Sequence, residues 1–165
     1  MTTLSAIITP TNIVTASSTT TLTNKTLTSP IINNSKVTTA RETITVSATA
    51  ATGTINYDVL TQSVMYYTTN AGGNWTLNIR GNSGTSLDSM MSTGESLTIA
   101  FMVTQGGTAY YESALTIDGS AVTPKWQGGT APTAGNASSI DVYAYVIVKT
   151  GSATFTVFAS QTKFA

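Results

Sequence analysis

The chain of 165 residues contains no histidine and no cysteine. It therefore lacks the imidazole that most often serves as a general base, the thiol nucleophile, and two usual ligands of zinc. Only 8% of its residues are charged, against roughly 25% in a typical soluble protein. These absences predict that the protein is not an enzyme and that it has no catalytic residues, no cofactor and no metal site.

The acidic residues are few and lie far apart in the sequence. No spacing between them corresponds to a calcium-binding loop, and the pair Asp118-Gly119 is typical of a turn. Two of the carboxylates could still meet in space as a glycosidase pair, which is the enzymatic alternative. The seven acids are Glu42, Asp58, Asp88, Glu95, Glu112, Asp118 and Asp141.

Charge and hydropathy also narrow the range of partners. Seven basic and seven acidic residues give a net charge of zero and are scattered singly. Since no basic patch is available for a phosphate backbone, we expect no nucleic-acid partner. We expect no membrane partner either, because no run approaches the roughly 20 apolar residues of a membrane span. The first residues lack the basic and apolar regions of a signal peptide.

Glycine and aromatic residues are missing from the first 52 residues, and all 13 of each lie from Gly53 onward. This first segment is too apolar for a solvated tail and too poor in bulky side chains to build a core alone. We predict an extended, Thr-rich N-terminal arm or shaft over residues 1–40, for oligomerisation or attachment, and a head domain over residues 41–165. Because the head holds every aromatic, a fragment starting near Thr52 is expected to fold on its own.

Apolar and polar residues alternate with period two through most of the head. Residues 75–80 and 96–103 follow this pattern, and residues 140–159 read as two strands of a hairpin. Eight or nine short strands with Gly-rich turns predict an all-β fold, a β-sandwich of jelly-roll type. A short helix is predicted over residues 87–91. Further strands are predicted near residues 41–49, 54–60, 63–68, 108–117 and 121–126.

The arm contains a near-repeat, TLTNKTLT at residues 21–28, followed by SPIIN. Its aliphatic side chains recur at neither helical nor alternating spacing, and Pro30 excludes a continuous helix. An extended strand fits better, and several identical strands wound about one axis would bury these aliphatics in a narrow core. The alternative is a Thr-rich linker with accidental repetition. The candidate oligomerisation or attachment residues are Leu22, Leu27, Ile31 and Ile32.

The aromatic side chains of the head offer the only ligand-binding chemistry that the sequence suggests. Tyr110, Tyr111 and Trp126 lie on or beside Gly-rich turns, where an exposed ring could stack on a sugar. For Trp126 the alternative, burial in the core, is slightly favoured because Val122 and Pro124 precede it. Two more candidates, Tyr143 and Tyr145, are expected to meet a neighbouring subunit more readily than a glycan.

Four segments resemble structural proteins of tailed bacteriophages, especially phages of marine cyanobacteria. The arm segment TLTNKTLTSPIIN is similar to a segment of fibre proteins. Three head segments, GTAYY, DGSAVTPKWQGG and FTVFASQTKF, resemble C-terminal domains of virion structural proteins. They occupy residues 107–111, 118–129 and 155–164.

The resemblance implies a component of the virion, commonly a homotrimer, that binds other virion proteins of the tail or capsid. The chain is short beside most fibre proteins, so a short fibre-like component and a capsid decoration protein both fit. A host surface glycan is a further candidate partner. The alternative from another class is a carbohydrate-binding module or adhesin domain, which explains the head but not the arm.

Overall fold

The computed structural model describes Thr26 and residues 31–165. The chain divides into two compact units, Met1–Thr39 and Ala40–Ala165. In the first unit, the described residues form no helix or strand. Two predicted arm residues, Leu22 and Leu27, lie outside the described residues. The other two, Ile31 and Ile32, are exposed, and their role in oligomerisation or attachment stays a prediction.

The second unit consists of ten strands and one short helix. Nearly all of the described residues with regular structure are in strands, so the predicted all-β class is confirmed. The elements are β1 (Ile44–Ala50), β2 (Gly53–Asp58), β3 (Val64–Thr69), β4 (Trp75–Arg80), α1 (Leu87–Met90), β5 (Ser96–Thr104), β6 (Glu112–Ile117), β7 (Ser120–Val122), β8 (Lys125–Trp126), β9 (Ile140–Gly151) and β10 (Thr154–Phe164).

The strands form two sheets that pack face to face as a sandwich. The larger sheet has the order β1-β3-β5-β9-β10-β8, and the smaller has the order β2-β4-β6-β7. Apolar side chains from both sheets fill the space between them, because alternate residues of each strand point inward. Trp75 of the smaller sheet makes edge-to-face contacts with Phe101 and Tyr143 of the larger sheet.

The connectivity differs from that of a jelly roll. The first six strands alternate between the sheets, so each strand lies parallel to the strand two positions along the chain. A jelly roll is instead built from antiparallel Greek keys. The alternation of side chains is the same in parallel and antiparallel strands, so the sequence pattern predicts the sandwich without distinguishing the two connectivities.

The hairpin predicted over residues 140–159 is present as β9 and β10. These two long strands pair antiparallel along their whole length, and β9 also pairs antiparallel with β5. The turn places Ala153 at a φ of 46°. The hairpin therefore supplies about half of the residues in the larger sheet. One of its faces points into the core, and the other points outward.

The helix α1 begins at the predicted position, with Ser86 as its N-cap. The carboxylate of Asp118 also accepts hydrogen bonds from the backbone N–H groups of Leu87 and Asp88. The ammonium group of Lys149 on β9 donates to two carbonyl oxygens of this segment and pairs with Asp88 at 2.7 Å. This pairing lowers the pKa of Asp88. In the described part of the chain, no helix has the length and apolar character needed to cross a bilayer.

The fold places the start of the head before the compositional change at Gly53. Strand β1 pairs with β3, and Ala51 is completely buried. A fragment of residues 40–165 should therefore unfold in one cooperative transition. A fragment starting at Thr52 lacks both features and should lose a large part of the about 5–15 kcal/mol that stabilises a typical domain. Urea unfolding of the two fragments checks this, and equal stability would show that β1 is dispensable.

Candidate functional site

The outer face of the larger sheet is apolar, and we call it the apolar face. Alternation along the strands directs the even-numbered residues of β5, β9 and β10 away from the core. Val146 of β9 and Phe158 of β10 are cross-strand partners on this face and are 40% and 49% exposed. The apolar residues of this face are Ile44, Val46, Val64, Ala100, Met102, Ile140, Val142, Ala144, Val146, Val148, Phe158 and Phe164.

Charge is almost missing from the apolar face. In the six described strands, the only charged side chain paired into it is Lys125 of β8, which lies opposite Phe158 at the edge of the sheet. Tyr66 and several threonines and serines, such as Thr98 and Ser160, occupy most of the remaining outward positions. A face of this size without charges is uncommon on a monomer, because contiguous exposed apolar patches usually mark sites of interaction.

The outer face of the smaller sheet is polar by contrast. Asn78 donates a hydrogen bond to Asn56 at 2.8 Å and accepts one from Thr116 at 2.8 Å. Further along β4 and β2, Arg80 of β4 forms an ion pair with Asp58 of β2 at 2.6 Å. These cross-strand polar pairs suit contact with water. The sandwich therefore has one face suited to solvent and one suited to burial.

A groove crosses the apolar face beside β8. It has a volume of about 390 Å³, and its lining includes Trp126, Val146 and Phe158. The indole of Trp126 is half-buried and lies edge-on to the ring of Tyr143, with ring centroids 6.4 Å apart. Trp126 is thus neither a fully exposed platform nor a core residue, and its role in ligand binding stays a prediction.

A second concavity lies on the other side of Trp126, and we call it the Trp126 cleft. It has a volume of about 320 Å³ and is lined by parts of β6 and β7 and by the loop that follows β8. A β-bulge at the start of β6 turns Glu112 toward the interior, opposite Trp75. The cleft is lined by Tyr111, Glu112, Ser113, Ala114, Leu115, Ala121, Val122, Thr123, Pro124, Trp126, Ala131 and Pro132.

Glu112 is a buried carboxyl group beside the Trp126 cleft. Its Oε2 accepts a hydrogen bond from the hydroxyl of Tyr145, and its backbone N–H donates to the hydroxyl of Tyr143. Burial raises the pKa of the Glu112 carboxyl to about 8, and the bond from Tyr145 opposes this only in part. The group is therefore mainly protonated and neutral at pH 7. Burial also raises the pKa of both tyrosines.

The prediction that Tyr143 and Tyr145 serve as ligand or interface aromatics is wrong. Both rings are completely buried between the sheets. The face of β9 that carries these tyrosines also carries Asp141 and Lys149 near its ends, so alternation alone does not identify it as the buried face. The rings point inward because burying a large aromatic ring removes more apolar surface from water than burying valine or alanine.

The two tyrosines before β6 are half-buried. The backbone of Tyr110 forms two hydrogen bonds with the side chain of Gln105, whose amide also donates to the buried carboxylate of Asp141. Tyr111 lines the Trp126 cleft, and its backbone N–H donates to Asn74. Tyr111 and Trp126 thus line the same cleft. The backbone of Tyr110 instead closes the preceding loop through its hydrogen bonds with Gln105. A ligand-binding role for these residues stays a prediction.

Sequence reasoning did not identify Glu112 or the apolar face as functional features. Glu112 begins a strand whose other inward residues are apolar, and that contrast was the available signal. The apolar outward residues of β9 were visible as an alternating set, but their neighbours on β5 and β10 follow only from strand pairing. Within the described residues, no group of three or more acidic side chains could hold a metal ion.

Comparisons with known proteins give no further identification. No family model matches the chain, and no curated protein and no solved structure is significantly similar to it.

Proposed function

We propose that the protein is a non-enzymatic structural component of a tailed-phage virion, a short fibre-like homotrimer. The observation that carries this proposal is the apolar face of the larger sheet. Each subunit of a cyclic trimer turns one surface toward the common axis, and the apolar face suits that position. The polar outer face of the smaller sheet would then face water.

The dimensions of the apolar face are sufficient for a stable interface. Five strands spaced by about 4.8 Å, with about nine residues each at about 3.3 Å per residue, give roughly 700 Å² of flat area. Because side chains project from the sheet, the accessible area of this face is larger than its flat area. It approaches the area of about 800 Å² that each partner buries in a specific interface. Because the face carries almost no charge, identical copies would meet there without electrostatic repulsion.

The resemblance to phage proteins connects this assembly to a virion. In the segment FTVFASQTKF, Phe158 and Phe164 belong to the apolar face, while Phe155 packs against the core. The arm would continue the trimer as a shaft or attach it to another virion protein. A capsid decoration protein is the alternative within the same class, and imaging of particles with the labelled protein separates tail from capsid.

A homotrimer is the first expected result. Light scattering on the full-length protein should give three times the monomer mass of 17.1 kDa, because none of the described residues covers Val146 and Phe158 on the apolar face. The control is the same measurement over a tenfold dilution series, which detects weak association. A monodisperse monomer at micromolar concentration would contradict the fibre proposal.

A carbohydrate-binding module remains a second candidate function, because the half-buried indole of Trp126 lies between a groove and a cleft. Such a module would bind glycan as a monomer, whereas the fibre proposal requires assembly. The oligomeric state therefore distinguishes the two candidates before any ligand is known.

A further inference from the structure

The Trp126 cleft combines apolar walls with a small number of polar groups. Alanine, valine, leucine and proline side chains form much of its lining, and the polar groups come from Tyr111, Glu112, Ser113 and Thr123. Neither lysine nor arginine lines it in the described part of the chain. A concave, mainly apolar site with a few convergent polar groups is typical of small-molecule binding sites, and its volume falls at the lower end of their range.

One oxygen atom of the Glu112 carboxyl group, Oε1, can form a further hydrogen bond in the Trp126 cleft. Its Oε2 accepts from Tyr145, but none of the described residues forms a hydrogen bond with its Oε1. The residue is 4% exposed, and it contributes to the lining of the cleft. Oε1 is therefore available for a hydrogen bond with water or with a ligand in the cleft.

We propose that the Trp126 cleft binds one residue of a neutral carbohydrate. The apolar C–H face of a sugar ring would lie against Trp126 and the proline and alanine side chains. A sugar hydroxyl would hydrogen-bond to Oε1 of Glu112, and the hydroxyls of Tyr111, Ser113 and Thr123 offer further partners.

The chemistry of the cleft favours a neutral ligand over an ion. An anion would find no cationic side chain in the lining, and it would lie beside a carboxyl group. A cation would bind best to an ionised carboxylate, and ionising a buried carboxyl group is unfavourable. A neutral polyol matches both the apolar walls and the protonated form of Glu112, so it requires no change of charge on binding.

Calorimetric titration of the full chain at pH 7 provides the test. The probes are methyl glycosides of glucose, galactose, mannose and N-acetylglucosamine, with ethylamine and N-acetylneuraminic acid as the cationic and anionic comparisons. We expect saturable binding of at least one neutral glycoside and no saturable binding of either ion. Trp126 fluorescence gives an independent readout, since Trp75 is almost completely buried.

Variants at exposed positions separate binding from folding. Ala121 is exposed on β7 and lines the cleft, so Ala121→Phe should fill the cleft and abolish binding without changing the melting temperature. Ser120 is exposed on the same strand outside the lining, so Ser120→Phe is the matched control and should bind normally. Trp126→Ala should weaken binding about 5- to 150-fold, the range for stacking on an aromatic ring.

Glu112→Gln tests the neutral character of the site. The amide oxygen can accept from Tyr145, and the amide nitrogen can donate to a sugar hydroxyl as the protonated carboxyl does. We expect the dissociation constant of the variant to stay within about threefold of the wild-type value. A tenfold change would correspond to about 1.4 kcal/mol of binding free energy. Loss of glycoside binding in this variant would overturn the neutral-ligand proposal, because it would show that a carboxylate is needed.

Two further results would overturn the proposal. One is the absence of saturable binding for every neutral glycoside at millimolar concentration. The other is equal loss of binding in Ala121→Phe and Ser120→Phe, which would place the ligand elsewhere. The proposal does not rest on trimer formation, since the titration can be repeated on a monomeric variant of the apolar face. Failure of assembly and failure of glycan binding are therefore distinguishable.

Discussion

Replacing both Val146 and Phe158 by lysine should convert the proposed trimer into monomers. The two residues are cross-strand partners on the apolar face, so the double variant would place two adjacent ammonium groups at the proposed interface. A charge buried without a partner costs about 3–5 kcal/mol, equivalent to roughly two to four orders of magnitude in the dissociation constant. Light scattering of the variant should give 17.1 kDa, the mass of one chain.

A matched control is available on the opposite side of the sandwich. Thr54 and Thr76 are cross-strand partners on the polar outer face of the smaller sheet. Their double replacement by lysine adds the same charges at one cross-strand pair, here between parallel strands, and it should leave the proposed trimer intact. A trimeric Val146→Lys, Phe158→Lys variant would show that another surface, such as the arm, holds the subunits together.

Folding stability should decrease as the pH rises from about 4.5 to about 8, and Glu112→Gln should remove most of this decrease. The pKa of Glu112 is raised from its ordinary value of 4.5 to about 8 by burial. Between these values the folded chain keeps a proton that the unfolded chain has released. Stability therefore falls with pH through this window, by up to about 1.4 kcal/mol per pH unit.

Glutamine removes the titration while keeping an acceptor for the hydroxyl of Tyr145. Above pH 8 we expect the free energy of unfolding of the variant to exceed that of the wild type by several kcal/mol. This difference is on the order of the stability that the wild type loses across the whole pH window. At pH 4.5 the two proteins should be similar, because Glu112 is neutral in the folded wild type. Urea unfolding at fixed protein concentration from pH 4.5 to pH 9 measures both curves.

Glu42→Gln provides the control for this pH dependence. The Glu42 side chain is exposed and accepts a hydrogen bond from Ser63, so this variant removes a surface carboxyl group while Glu112 stays in place, and the decrease attributed to Glu112 should remain. If the wild type is equally stable across that range, or if Glu112→Gln keeps the wild-type slope, Glu112 does not carry a raised pKa in the folded protein.

The sequence determined the class of fold and several local elements. Alternation of apolar and polar residues is a local property, and it predicted β4, β5 and the β9–β10 hairpin. Capping is also local, because the side chain of an N-cap bonds to an N–H group two or three residues ahead. The predicted helix accordingly begins after Ser86.

The tertiary structure decided which faces are buried and which strands are neighbours. On β9 the alternating pattern does not mark the tyrosine face as the buried one, and only packing against the smaller sheet buried Tyr143 and Tyr145 and left Val146 outside. The parallel pairing of the first six strands joins segments about 20 or more residues apart, a distance over which side-chain periodicity carries no information. The position of Glu112 beside Trp126 likewise follows from a bulge and a distant loop. Sequence alone thus established that the chain forms a β-sandwich, while long-range packing established the surfaces through which it would act.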